Sequence, residues 1–263
     1  MTVPDPARSR HLADLSGPEV ERRLSAQSIL VQPLGAIEQH GPHLPLSTDL
    51  LIATAVAEAA VAEVGEEVEA WLLPPLAYTK SNEHAWSQGT IWLSATTLLS
   101  VLDDIGRSVA MTAARRLVFM NGHGGNSTLV GTANRELRLH HGLMTFLTHP
   151  GVPPDQGGRS AEGEHGMGVH GGTDETSVML HLAPHLVDMS QAQRRIPQGL
   201  IGNTYVKFGG RVSFGWLSND FFDDGYIGDP TAATADYGKE LFEGSVSAFC
   251  DALREISTFN FGK

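Results

Sequence analysis

Residues 28–36 (SILVQPLGA) form an apolar run of strand length. They lead into the kinked polar stretch EQHGPHLPLSTD (38–49) and then into alanine-rich LLIATAVAEAAVAEV (50–64). An apolar run, a polar turn and a helix-forming segment in that order predict one strand–loop–helix unit, with Ser47-Thr48-Asp49 supplying the helix cap. The order recurs. Residues 70–76 read as a strand, YTKSNEHAWSQGT (78–90) as a polar loop, and a helix opens near Ser94. Residues 116–120 (RLVFM) read as a strand that ends in Asn121-Gly122-His123-Gly124-Gly125-Asn126, then a helix to about His141 and a strand over 143–148. Strands alternating with helices predict an α/β fold, a mostly parallel sheet with helices on both faces. No repeat or linker divides the chain, so residues 1–263 are expected to form a single domain.

Signals at the two ends extend this pattern. Ser16-Gly17-Pro18-Glu19 has capping-box spacing and predicts a short helix to about Leu24. Asp229-Pro230 is expected to open a final helix through TAATADYGKELFEGSVSAFCDALREI. Between them, residues 149–177 are rich in glycine and proline and carry three histidines. A loop of that length inside a compact domain is usually functional.

Composition excludes several classes. A net charge of −12 argues against nucleic acid and anionic membrane as partners. No apolar run approaches the ~18 residues of a membrane span, and the N-terminus has no apolar segment of signal-peptide type. The single cysteine, Cys250, rules out an intrachain disulfide framework and fits a reducing compartment. A cytoplasmic protein is expected. Cys250 sits in an amphipathic helix as a small core residue, and no G-x-S-x-G elbow appears, which argues against a Ser or Cys hydrolase.

The chemistry collects at strand ends, where open α/β sheets bind ligands. Glu38 and His40 are two apart and point to one side of an extended backbone. Asp49 lies at a helix N-terminus, where a carboxylate is favoured, and its two oxygens can bridge two cations. His123 follows the next strand. His170 precedes the helix TDETSVMLHLA, which Thr173 is placed to cap, with Glu175 in its first turn. A mixed imidazole and carboxylate set suits Zn, Mn or Fe, and the lack of a cysteine cluster argues against a closed structural zinc. His170 is the candidate proton donor, with His165 as the alternative from the same loop. Glu83, His84 and Trp86 are candidates for the substrate pocket. His43, His181 and His185 read as structural or solvated, and Asp220, Asp223 and Asp224 as a solvated acidic loop.

These residues resemble the creatininase (creatinine amidohydrolase) family. The resemblance rests on LGAIEQHGPHLPLSTD, EHAWSQGTIWLS, VFMNGHGGN, HGGTDETSVMLHLAP and GDPTAATADYGKELF, blocks that span nearly the whole chain in order. It implies a single α/β domain, two divalent metal ions (Zn, Mn or Fe), hydrolysis of a C–N amide bond with a metal-bridging hydroxide, and a homohexamer built from dimers. By motif position Glu38, His40, Asp49 and His123 match family metal ligands, with Asp49 bridging, and His170 matches the acid/base histidine. One position departs. Creatinine-cleaving members carry a ligand glutamate where this chain has Gly125, and Glu175 is the nearest substitute by motif, as a ligand and a catalytic group. The departure turns the expectation from creatinine towards other branches with the GHGGN form, which hydrolyse a formamide or trim a cofactor-precursor peptide. The expected substrate is thus a small-molecule or short peptide amide. Two other classes share such ligands: a metal-dependent phosphoesterase, for which the chain lacks an arginine cluster, and a non-catalytic metal-binding homologue.

Overall fold

The computed structural model describes residues 10–151 and 162–262; part of the long glycine-rich loop, residues 152–161, lies outside the described residues. Strands β1 (Ile29–Leu34), β2 (Ala70–Leu72), β3 (Arg116–Asn121) and β4 (Met144–Thr148) pair in the order β2-β1-β3-β4, all parallel. Parallel neighbours need crossovers, and α2 (Thr48–Val64), α3 (Ala95–Ala110) and α4 (Ser127–His141) supply them; α1 (Gly17–Arg23) precedes the sheet, and α5 (Thr173–Leu182), a four-residue α6 (Gln198–Ile201) and α7 (Ala235–Thr258) follow it.

Alternation along the strands sorts the core into two layers. Ile29, Val31, Val118 and Met120 face α2 and α7, packing on Ala53, Val56, Phe249, Cys250 and Leu253. Leu30, Leu34, Leu117 and Phe119 face the other way, onto Leu98 and Leu102 of α3 and Val130 and Leu137 of α4. The fold is therefore a single-domain α/β sandwich with both sheet faces covered, as the run of fully buried strand residues requires. Among the described residues no helix is long and apolar enough to cross a membrane.

Three local expectations are corrected. β2 stops at Leu72 rather than residue 76, because Pro74 and Pro75 have no N–H to give the ladder; Gln32 Nε2 instead donates to Pro74 O at 2.8 Å. The final helix begins at Ala235, not at Pro230. Asp229 caps only a 3₁₀ turn over Pro230–Ala232, and Thr234 accepts from Tyr237 N to start α7. Thr173 does not cap α5: the cap position is Gly172, and Thr173 Oγ1 donates to Asp229 O at 2.6 Å.

Two glycines let α2 approach the sheet. A β-carbon at Gly35 would collide with the Leu50 backbone, and one at Gly122 would lie 2.5 Å from Asp49 O. With these positions bare, the first turn of α2 sits against the carboxyl ends of β1 and β3, and Asp49 arrives between them.

Candidate metal centre

The carboxyl ends of the strands bring the marked residues together. Glu38 and His40 come from the turn after β1, Asp49 from the first turn of α2, His123 from the turn after β3, and His170 and Glu175 from the start of α5. Glu83 and His84 come from a 3₁₀ turn (Asn82–His84) after β2. Glu38, His40, Asp49, His123, His170 and Glu175 are all buried, at 5% exposure or less, although every one of them is polar.

Asp49 divides the cluster into two halves. Its Oδ1 lies 3.0 Å from His40 Nε2, and its Oδ2 lies 3.1 Å from His123 Nδ1. On the first side Glu175 Oε1 is 4.0 Å from His40 Nε2; on the second Glu38 Oε2 is 3.2 Å from His123 Nδ1. His40, Asp49 and Glu175 thus offer three ligand atoms within 4.8 Å of one another, and so do Glu38, Asp49 and His123. A third grouping joins Glu38, His40 and His170.

The ring orientations are fixed from outside. His40 Nδ1 lies 3.1 Å from Glu38 O, and His123 Nε2 lies 2.9 Å from Lys80 O, so each ring is set to donate outward and aim its other nitrogen at Asp49. Ser81 Oγ donates to Glu38 Oε2 at 2.5 Å, and Gly171 N donates to Glu175 Oε2 at 2.5 Å. Gln39 Oε1 accepts from Gly41 N at 2.8 Å, so its amide nitrogen faces His84 Nδ1 at 2.9 Å. His84 Nδ1 is then an acceptor, and its Nε2–H points at Glu38 Oε1, 3.3 Å away.

Electrostatics describe a cage built for positive charge. Burial opposes a charge on His40, but Asp49, Glu175 and Glu38 outweigh it and push its pKa up to about 10. His123 is raised well above the ordinary value for the same reason, with Glu38, Asp49 and Glu83 overcoming desolvation. Desolvation raises Glu38, whereas His40 and His123 hold Asp49 well below the usual carboxylate range despite its burial. His84 and His170 go the other way: burial, reinforced by charged histidine neighbours, keeps both neutral. Positive charge on His40 and His123 offsets the negative charge of the carboxylates. Although His84 Nε2 and His123 Nδ1 lie 3.3 and 3.1 Å from them, Glu38 Oε1 and Asp49 Oδ2 accept no hydrogen bond of good geometry, an expensive arrangement for the buried oxygens of two acids. The donor set fits two divalent cations with N and O ligands, which would satisfy both oxygens.

The other marked residues divide as follows. Glu83, His84, His170 and Glu175 line the cleft over the cage, with Trp216 and Val169 as its apolar wall. Trp86 is absent from that lining; it is 41% exposed, and its Nε1 donates to Ser218 Oγ at 2.7 Å. His165 is exposed and outside the cluster. His43 is structural, with Nε2 3.0 Å from Gly171 O. Asp224 forms an ion pair with Arg195 at 2.8 Å. The sequence did not point to Ser81 or Gln39. The one signal for them was proximity in sequence, Gln39 lying between Glu38 and His40 and Ser81 two residues before Glu83.

Comparison with known proteins places the chain among relatives of one family. A family model described as creatininase, creatinine amidohydrolase, matches residues 13–253. The mycofactocin precursor peptide peptidase of Mycobacterium ulcerans (strain Agy99) is 40% identical over 222 residues, 82% of this chain and 80% of that protein. The creatinine amidohydrolase of Pseudomonas putida is 36% identical over 206 residues, 70% of this chain and 76% of that protein. A crystal structure of creatinine amidohydrolase superposes with a TM-score of 0.73 at 27% identity, covering 96% of this chain and 99% of the other. Similar creatininase structures include a Zn-Zn form and a Mn form.

Proposed function

The chain belongs to the creatininase family of metal-dependent amidohydrolases, and from that premise we propose that it is a peptidase that hydrolyses a peptide-type amide at a dinuclear centre sharing Asp49. The observation that carries the centre is the division of Asp49, one oxygen to each half of the cage. His40, Asp49 and Glu175 would hold one cation, and Glu38, Asp49 and His123 the other. Such cations, when bound, supply an activated water at neutral pH and polarise the amide carbonyl.

The chain's own residues do the rest. His170 Nε2 donates to Gln39 O at 2.7 Å, which leaves the lone pair of Nδ1 facing the cleft, 3.8 Å from Glu38 Oε1. Because burial keeps the ring neutral, it starts as a base: it would take a proton at Nδ1 from the attacking water and return it to the departing nitrogen. An amide nitrogen leaves poorly unless protonated, so that transfer is chemically required. Glu38 and the Nε2–H of His84 face the same space and fix the polarity of the cleft.

Kinship supports a peptide. Such a substrate would set its reacting amide in the cavity over the cage, about 40 Å³, and bind its remainder along the rim. Relatives 33% to 40% identical over 82% to 94% of this chain are named as mycofactocin precursor peptide peptidases. The unit is proposed to act in the cytoplasm as a homohexamer, in line with the family resemblance; light scattering gives its mass directly. Metal-loaded protein offered creatinine, formamides and short peptides should cleave peptides, with activity abolished by chelator and restored by Mn or Zn. Turnover of creatinine alone would overturn the peptide assignment, and turnover of phosphoesters alone would overturn the amidohydrolase reading.

A further inference from the structure

Glu83 stands beside His123 without touching the Asp49 side of the ring. Its Oε1 lies 3.3 Å from His123 Nε2, the nitrogen turned away from the cage that also donates to Lys80 O at 2.9 Å, and its Oε2 pairs with Lys80 Nζ at 2.6 Å. The carboxylate is largely buried, with its side chain 13% exposed. The turn that delivers it is anchored twice. Ser218 N donates to Glu83 O at 3.0 Å, and Asn126 Oδ1 accepts from Lys80 N at 3.1 Å.

Gly125 explains how the carboxylate gets there. A β-carbon at 125 would collide with both Glu83 Oε1 and His123 Nε2. The space that a side chain at 125 would fill is the space Glu83 uses.

We infer that Glu83 is a positioning residue of His123, an outer carboxylate that acts beside Lys80 O on the ring's outer nitrogen and strengthens its Nδ1 as a ligand, and that Gly125 is bare to admit it. The two positions form one device, assembled from the loop after β2 and the turn after β3. Outer carboxylates on ligand histidines typically contribute ~10- to 100-fold in metal affinity. The inference rests on the dinuclear reading above.

The test is a stepwise titration of the metal-free chain with Mn(II), read by calorimetry and by the free-Mn(II) resonance signal, with Co(II) visible spectra as the coordination readout. Wild type should bind two ions. Glu83→Gln should weaken one of them ~10- to 100-fold and alter half of the Co(II) spectrum, while the other ion binds as in wild type. Gly125→Ala should weaken the same ion. If wild type binds two ions and Glu83→Gln binds both as wild type does, the inference fails and the centre stands. If wild type itself binds no second ion, the dinuclear reading fails instead.

Discussion

The two halves of the cage are held in different ways. The His40 half is local: the outer nitrogen of His40 is fixed by Glu38 O two residues away, and Glu175 by the amide of Gly171 four residues before it. The His123 half is assembled at long range. Its ring is fixed by Lys80 O, forty-three residues earlier in sequence, and its partner Glu38 by Ser81 Oγ of the same loop. A half braced within its own turn survives distant rearrangement. One braced by a separate loop depends on how that loop packs.

The shared ligand gives the largest expected effect. Asp49→Asn keeps the shape but removes the charge both halves use, so metal should fall below one ion per chain, with turnover down ~1,000-fold or more. Elemental analysis beside peptide turnover checks it; full occupancy in the variant would break the comparison at its root. Next, His170→Ala should retain both ions and lose ~100- to 10,000-fold in turnover, since the ring acts on protons. Loss of metal with activity would move His170 into the cage.

Titration sharpens the contrast. Ions must displace the protons that His40 and His123 carry below their raised pKa values, so affinity should climb with pH by up to about 100-fold per unit when two protons leave. Calorimetry in buffers of different ionisation enthalpy counts those protons; flat affinity between pH 6 and 8 would contradict it. For folding of the metal-free chain the sign reverses. A raised His40 contributes stability that is complete below its unfolded value near 6.5 and is lost as pH rises through about 10. Smallest is Ser81→Ala, which removes one charge-assisted hydrogen bond to Glu38 and should weaken only the His123-side ion, by about tenfold. Equal weakening of both ions would show that the halves are not separately braced.

The same contrast separates what the sequence could show from what it could not. The strand-end placement of Glu38, His40, Asp49 and His123 was legible, because apolar runs followed by polar turns mark where a parallel sheet presents its ligands. The two core layers followed from continuous apolar strands. Local braces were half legible: Glu38 and His40 share a turn, and Glu175 sits in the first turn of its helix. Long-range braces were not. Nothing in YTKSNEHAWSQGT says that Ser81 reaches Glu38, that His84 turns its Nε2–H inward, or that Glu83 lies over Gly125, since these depend on loop packing and not on period or spacing. Trp86 showed the reverse error, since a large aromatic in a pocket-like loop proved to be tied to Ser218 while Trp216, far along the chain, lines the cleft. Thr173 had cap chemistry in sequence but gave its hydroxyl to Asp229, a partner that only the fold brings near.

Asp49 as a single carboxylate bridging two cations is best tested by low-temperature electron paramagnetic resonance of the wild-type chain loaded with two equivalents of Mn(II). Two ions joined through Asp49 should give the broad, exchange-coupled signal of a dinuclear pair. A six-line spectrum of isolated Mn(II) at both equivalents would contradict the shared centre.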